Sequence, residues 1–203
     1  VVGAKYALAV GAAAAAIGVI IGVVTLTGTA LKFATIIVNV ANDASALVHV
    51  WLPFDKATLV KFFTLVMTAI VCILMGCGVP TTATYIIMVT IAAPALAILG
   101  VAPVVAHFFV FYYGVLADVT PPVAVAAYAA ASMAGADPFK TGNTAFRLAL
   151  AKALVPFIFV FSPALLIVVP EFNWPDFLLT FAGCIVSITF LGAALSAYLF
   201  APM

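Results

Sequence analysis

The sequence predicts an all-α integral membrane protein, a polytopic helical bundle whose chain is interrupted twice at membrane depth. Three observations carry that reading. The chain is 68% apolar and 6% charged, against roughly 45–50% and about 25% in ordinary soluble domains. Phe62 to Ala117 is a run of 56 residues without a single charge. Glycine, proline and threonine cluster inside that run at "GCGVPTTA" and just past it at "ADVTPPV". Seven basic and six acidic side chains are too few to solvate a soluble fold of 203 residues. A net charge of +1 argues against nucleic acid as a partner. Cys72, Cys77 and Cys184 stand in apolar runs without metal or CxxC spacing, and read as small buried hydrophobes.

A bilayer core takes about 20 apolar residues at 1.5 Å rise. The start, Val1-Val2-Gly3-Ala4-Lys5, has neither an initiator Met nor a signal-peptide layout, which suggests a piece of a longer membrane subunit. Leu8 to Ala30 is an uncharged run of 23 residues and reads as one span. Its Gly11, Gly18 and Gly22 favour close helix packing in lipid. From Leu31 to Lys61 the polar content rises through Lys32, Asn39, Asn42, Asp43, His49, Asp55 and Lys56. Trp51 and Pro53 suit a membrane interface, and the stretch predicts a short amphipathic helix and connector along the membrane surface.

As one helix the 56-residue run would reach roughly 84 Å, far beyond a bilayer of about 30 Å. It must fold back, and the breakers lie at Gly76–Pro80, at Pro94 and at Gly100–Pro103. The pieces are Ala57–Met75, Thr82–Ala93 and Val104–Ala117; only the first is long enough to cross comfortably, with Lys61 snorkelling from its end. Two successive prolines at Pro121-Pro122 exclude helix just before them, so Val123–Met133 is a separate piece. Lys140, Arg147 and Lys152 fall within thirteen residues and predict a cytoplasmic loop. Ala153–Val169 then crosses despite Pro156 and Pro163. An acidic turn follows at Glu171, Trp174 and Asp176, and Phe177–Phe200 crosses back. The chain thus divides into 1–56, a span plus amphipathic connector; 57–142, holding both breaks in a folded-back segment 57–93 and a broken helix 103–134; and 143–203, the C-terminal spans.

Irregular backbone at membrane depth survives only when it is buried in protein or lines a polar cavity. The two breaks lie about forty residues apart, enough chain to return to one depth. Such paired discontinuities mark the ion and substrate sites of many secondary transporters. At the first break Gly76 and Gly78 can turn carbonyls toward a cation, and Pro80 is placed to start a returning helix. Thr81 and Thr82 add hydroxyls to the site; Thr84 either does so or bonds its own helix carbonyl four residues back. Asp118 is the only acid between Lys61 and Ala136. It sits in a wet vestibule or at a helix N-terminus, supports a cation, or carries a proton. His107, beside Phe108, Phe109, Phe111, Tyr112 and Tyr113, reads as a packed, hydrogen-bonded residue. His49 reads as interfacial.

"GCGVPTTATYIIMVTIAAPAL" followed by "HFFVFYYGVLADVTPPVAVAAYAAASMAGADPFKTG" resembles the large membrane subunit of TRAP transporters (tripartite ATP-independent periplasmic transporters). It looks closest to the fused permeases that work with TAXI-type binding proteins. The similarity runs from about Gly22 to Pro163. It implies half of an elevator-type transporter, with a re-entrant helical hairpin at 57–93 and a discontinuous transmembrane helix at 103–134. It also implies a sodium-coupled importer of an organic acid or similar small solute in a bacterial or archaeal inner membrane. Its partners would be a periplasmic substrate-binding protein and a small membrane subunit or its fused equivalent, with sodium the coupling ion and no other cofactor. Carried over residue by residue, the sodium site falls on Gly76 and Gly78 at the hairpin tip and on Ala117, Thr120 and Val123 at the second break, with Asp118 beside it. Pro80, Thr81, Thr82, Pro121 and Pro122 would line the substrate path. Many relatives carry Gly where Ala117 stands, and Ser-Asn or similar where Ala117-Asp118 stands. A carbonyl ligand survives the first change; the added carboxylate leaves sodium and proton coupling both open.

Two other classes compete. An intramembrane protease needs two facing acids or a serine with its base, yet Asp118 has no intramembrane acidic partner. Ser132, Ser162 and Ser187 occupy no nucleophile elbow, so no enzyme is expected. A structural or channel-like subunit of a larger complex is the alternative to a carrier, and turnover separates the two. Substrate identity is not legible, since Arg147 reads as a topology residue of the basic stretch.

Overall fold

A computed structural model of the chain describes residues 2–168, 170, 172–196, 198–199 and 201–202. Among these the helices are α1 (Val2–Leu26), α2 (Thr29–Val48), α3 (Lys56–Gly76), α4 (Thr81–Ile98), α5 (Pro103–Ala117), α6 (Val125–Ala134), α7 (Pro138–Lys152), α8 (Val155–Phe161) and α9 (Trp174–Ser196). A single 3-10 turn at Pro163–Leu165 and a two-residue antiparallel pairing of Tyr198–Leu199 with Ala201–Pro202 complete it. Among the described residues, five stretches are long and apolar enough to cross a membrane: α2, α3, α4, the α7–α8 stretch Pro138–Phe161, and α9. The protein is a polytopic helical membrane protein.

Helices α3 and α4 form an antiparallel hairpin, which packs against α2 on one side and α5 on the other. The hairpin and α5 share one apolar core, with Leu65, Cys72, Met88, Leu96, Val105, Phe109 and Leu116 almost wholly enclosed. Much of the remaining interior is alanine, while Leu31, Phe33, Leu178, Leu179 and Phe190 point outward. Small residues inside and large apolar ones outside is the arrangement lipid demands, because association there depends on close backbone approach. Helix α2 shows it clearly. Ala30, Ala34, Ile37, Ala41 and Ser45 are buried, a stripe at helical spacing along one face.

Several boundaries differ from expectation. The first span ends at Leu26 rather than Ala30, because Gly28 at φ +65° turns the chain before Thr29 starts α2. The segment after Leu31 holds no short surface helix. It forms most of the 20-residue α2, which lies on the hairpin because its four-spaced small residues fit there. Helix α4 continues through Pro94 to Ile98, so both arms are long enough to cross; neighbouring helices can re-satisfy the backbone that a proline frees. The basic stretch is not a loop but α7. Asp137 caps it by accepting the Lys140 N–H at 2.7 Å, and Pro138 occupies the first turn. Arg147 donates to the Leu195 carbonyl at 2.8 Å, satisfying an acceptor near the end of α9. Ala153–Val169 is not one continuous span either: α8 ends at Phe161, before Pro163, and the described chain then turns. Trp174 and Asp176 lie in the first turn of α9, which starts three residues before Phe177. Val1, Val169, Glu171, Ala197, Phe200 and Met203 lie outside the described residues.

One feature of α3 is unusual. Thr64 and Thr68 are completely buried, and neither hydroxyl has a hydrogen-bond partner among the described residues. A buried unsatisfied polar group costs about 1–3 kcal/mol, whereas an apolar group of the same shape costs nothing of the kind. Thr64→Val and Thr68→Val are therefore expected to leave the thermal midpoint of the purified protein unchanged or to raise it. A fall of several degrees in either variant would show that the hydroxyls are in fact partnered.

Candidate functional site: the hairpin tip against the broken helix

The tip begins where α3 runs out at Gly76. Cys77 takes an extended conformation and Gly78 a left-handed one at φ +79°, which a glycine adopts without steric cost. The Val79 N–H reaches back to the Gly76 carbonyl at 3.3 Å. Pro80 then caps α4, its carbonyl accepting from the Thr84 N–H at 3.0 Å. Thr84 is buried, and its hydroxyl donates to the Val79 carbonyl at 3.4 Å. That bond closes the tip on itself instead of following the four-residue back-bonding pattern of a helical threonine.

The second break is equally ordered. Past Ala117 the chain tightens, with the Thr120 N–H on the Ala117 carbonyl at 3.0 Å and the Thr120 hydroxyl on the Leu116 carbonyl at 2.9 Å. Pro121 and Pro122 are joined by a cis peptide. Ala124, buried and at φ +34°, starts α6, a left-handed position that non-glycine residues seldom occupy and that tends to mark functional sites. Two longer bonds tie the halves together: the Ala126 N–H to the Asp118 carbonyl at 3.1 Å, and the Tyr128 hydroxyl to the Pro122 carbonyl at 2.8 Å.

The fold brings these breaks into contact. A Cβ placed on Gly76 would fall 2.5 Å from the Ala117 Cβ, 3.2 Å from the Thr84 Cγ2 and 3.5 Å from the Gly114 carbonyl oxygen. One placed on Gly78 would lie 3.6 Å from the Val123 Cγ1. Gly76 thus meets Ala117, and Gly78 meets Val123, across some forty residues of sequence. Thr120 is buried close by along the chain, its proton committed to Leu116 but its oxygen lone pairs still able to accept. Asp118 is half-buried, and its carboxylate makes no hydrogen bond or ion pair among the described residues. Pro80, Thr82 and Pro122 are exposed, while Thr81 and Pro121 are half-buried.

Gly114 and Thr84 belong to this junction, although only Thr84 stood out in the sequence. The available signal for Gly114 was its spacing: it precedes Ala117 by three residues on one helix face, a small-residue pair suited to close approach. His107 is bonded as expected, its Nδ1 2.8 Å from the Tyr85 hydroxyl. No group of three or more His, Cys, Asp or Glu side chains gathers among the described residues. The junction is instead rich in backbone carbonyls and hydroxyls, each able to take a further partner on a second lone pair.

Hairpin, broken helix and apolar surface together define a polytopic membrane protein built around two breaks packed on each other. The family described as "Tripartite ATP-independent periplasmic transporter, DctM component" matches residues 1–174, and the chain belongs to it. It is therefore a membrane permease component of a TRAP transporter, a family of transporters rather than of enzymes. Searches among curated proteins and solved structures returned no significant match.

Proposed function

We propose that this chain carries the coupling-ion site of a sodium-driven, binding-protein-dependent importer of an organic acid or similar small solute. The observation that carries the reading is the packing of Gly76 on Ala117 and Gly78 on Val123. Two interrupted helices meeting at one place supply unwound carbonyls, which suit sodium. On this reading Gly76, Gly78, Ala117, Thr120 and Val123 ligate the ion through backbone or hydroxyl oxygen, and Asp118 supports it electrostatically. Pro80, Thr81, Thr82, Pro121 and Pro122 border the solute path. The hairpin acts as a re-entrant gate in an elevator-type cycle in the inner membrane. A periplasmic binding protein of the TAXI type and a small or fused second subunit complete the machine.

Uptake by proteoliposomes containing the full permease and its binding protein is expected to follow an inward sodium gradient. Uptake that persists after every ion gradient is collapsed would refute the coupling. At the level of one residue, Thr120→Val is expected to raise the half-saturating sodium concentration several-fold with expression intact, since it deletes only an oxygen from a polar junction. An unchanged sodium activation curve would remove the Thr120 hydroxyl from the ligand set.

A further inference from the structure

The end of the hairpin opposite its tip carries a second constellation. A cavity of about 730 Å³ opens there between four separate parts of the chain. Asn42 of α2, Lys56 and Lys61 of α3, Ile98 and Leu99 at the end of α4, and Phe161 closing α8 all line it. Asp55 also borders the cavity, but its carboxylate is engaged in capping α3, accepting the Ala57 N–H at 3.2 Å. Neither lysine is held in an ion pair among the described residues. The polar wall thus carries a net charge of +1, from two ammonium groups without an ion pair and the capping carboxylate, beside an amide.

Its position in the fold is informative. The uncharged run begins at Phe62, immediately after Lys61. The loop leading into α3 exposes Trp51 at 85% and Phe54 at 56%, and exposed tryptophan of this kind sits at the headgroup level of a bilayer. The cavity therefore lies near that boundary, with the lysines and the apolar Ile98, Leu99 and Phe161 sharing one lining. A lining that joins cations to apolar side chains suits a ligand that joins an anion to hydrocarbon, as a phospholipid does. A soluble anion would use the lysines and leave the apolar wall without a partner.

We propose that this cavity is a binding site for one anionic phospholipid, its phosphate held between Lys56 and Lys61 and its acyl chains lying on Ile98, Leu99 and Phe161. The lipid joins α2, the outer ends of both hairpin arms and α8, and so anchors the end of the hairpin opposite the coupling junction. The assignment is independent of which ion drives transport.

Native mass spectrometry of the full chain, released from nanodiscs of phosphatidylglycerol or of phosphatidylcholine, tests it. Phosphatidylglycerol is expected to remain bound where phosphatidylcholine does not. Lys56→Gln with Lys61→Gln is expected to weaken phosphatidylglycerol retention about thirtyfold, as the loss of two membrane-surface cations predicts. Each single change is expected to weaken it about fivefold, and the double arginine variant to retain it. Equal retention of the two lipids would overturn the proposal. So would undiminished phosphatidylglycerol binding in the glutamine variants. Displacement of the lipid by inorganic phosphate at millimolar concentration would also overturn it, by showing a site for the free anion.

Discussion

Gly76→Ala is expected to destabilise the permease by about 1–3 kcal/mol, the usual cost of forcing a methyl group into filled space, and to suppress coupled uptake. The added Cβ would stand 2.5 Å from the Ala117 Cβ, a separation that carbon atoms do not tolerate. Neither backbone can easily retreat. Gly76 is fixed by the tip turn that its own carbonyl accepts, and Ala117 by the Thr120 N–H on its carbonyl. The decisive measurement is a double-mutant cycle. Ala117→Gly removes the opposing atom, so Gly76→Ala combined with Ala117→Gly should recover most of the thermal midpoint lost by Gly76→Ala alone. The remaining contact, 3.2 Å to the Thr84 Cγ2, calls for only a small shift. Strict additivity of the two substitutions would show that tip and break are not in contact in the folded protein.

Asp118→Asn should raise the half-saturating sodium concentration about tenfold. A half-exposed carboxylate within about 6 Å of a cation contributes on the order of 1.4 kcal/mol at an intermediate effective dielectric, and that energy is one decade in affinity. The substitution keeps the side chain's size and removes its charge, so the thermal midpoint should barely move. Because the Asp118 side chain has no hydrogen-bond or ion-pair partner among the described residues, no buried partner is left uncompensated. Sodium activation identical to that of the wild type would take Asp118 out of the ion site. Uptake driven by a proton gradient and abolished in the asparagine variant would assign it the proton-carrying role instead.

The places where the sequence spoke clearly were those where one residue's own chemistry decides its backbone. Gly78 and Pro80 end one helix and start the next through φ preference and a missing N–H. Pro121-Pro122 does the same for the broken helix. Those breaks stand within a residue or two of where spacing placed them. The misreadings came where packing overrode local character. Asn42, Asp43 and Lys32 made α2 look like a surface segment, yet its buried alanines at four-residue spacing seat it on the hairpin. Lys140, Arg147 and Lys152 suggested a loop, although Asp137-Pro138 already offered a helix start. Pro94 looked like a stop and is not one, because a proline in a packed membrane helix loses its hydrogen bond without losing its neighbours.

Composition alone was enough to place this chain in a membrane, and turn chemistry alone was enough to locate its two interruptions. Both are sums of local terms: transfer free energies per residue, and dihedral preferences of glycine and proline. That Gly76 rests on Ala117 and Gly78 on Val123 is of another kind. It depends on α5 lying against both arms of the hairpin, a result of volume matching among side chains far apart in sequence. The same holds for the pairing of Tyr85 with His107 and for the cavity shared by Lys56, Lys61 and Phe161. No single-residue property encodes such distances; they arise only when alanine and glycine stripes let the helices close.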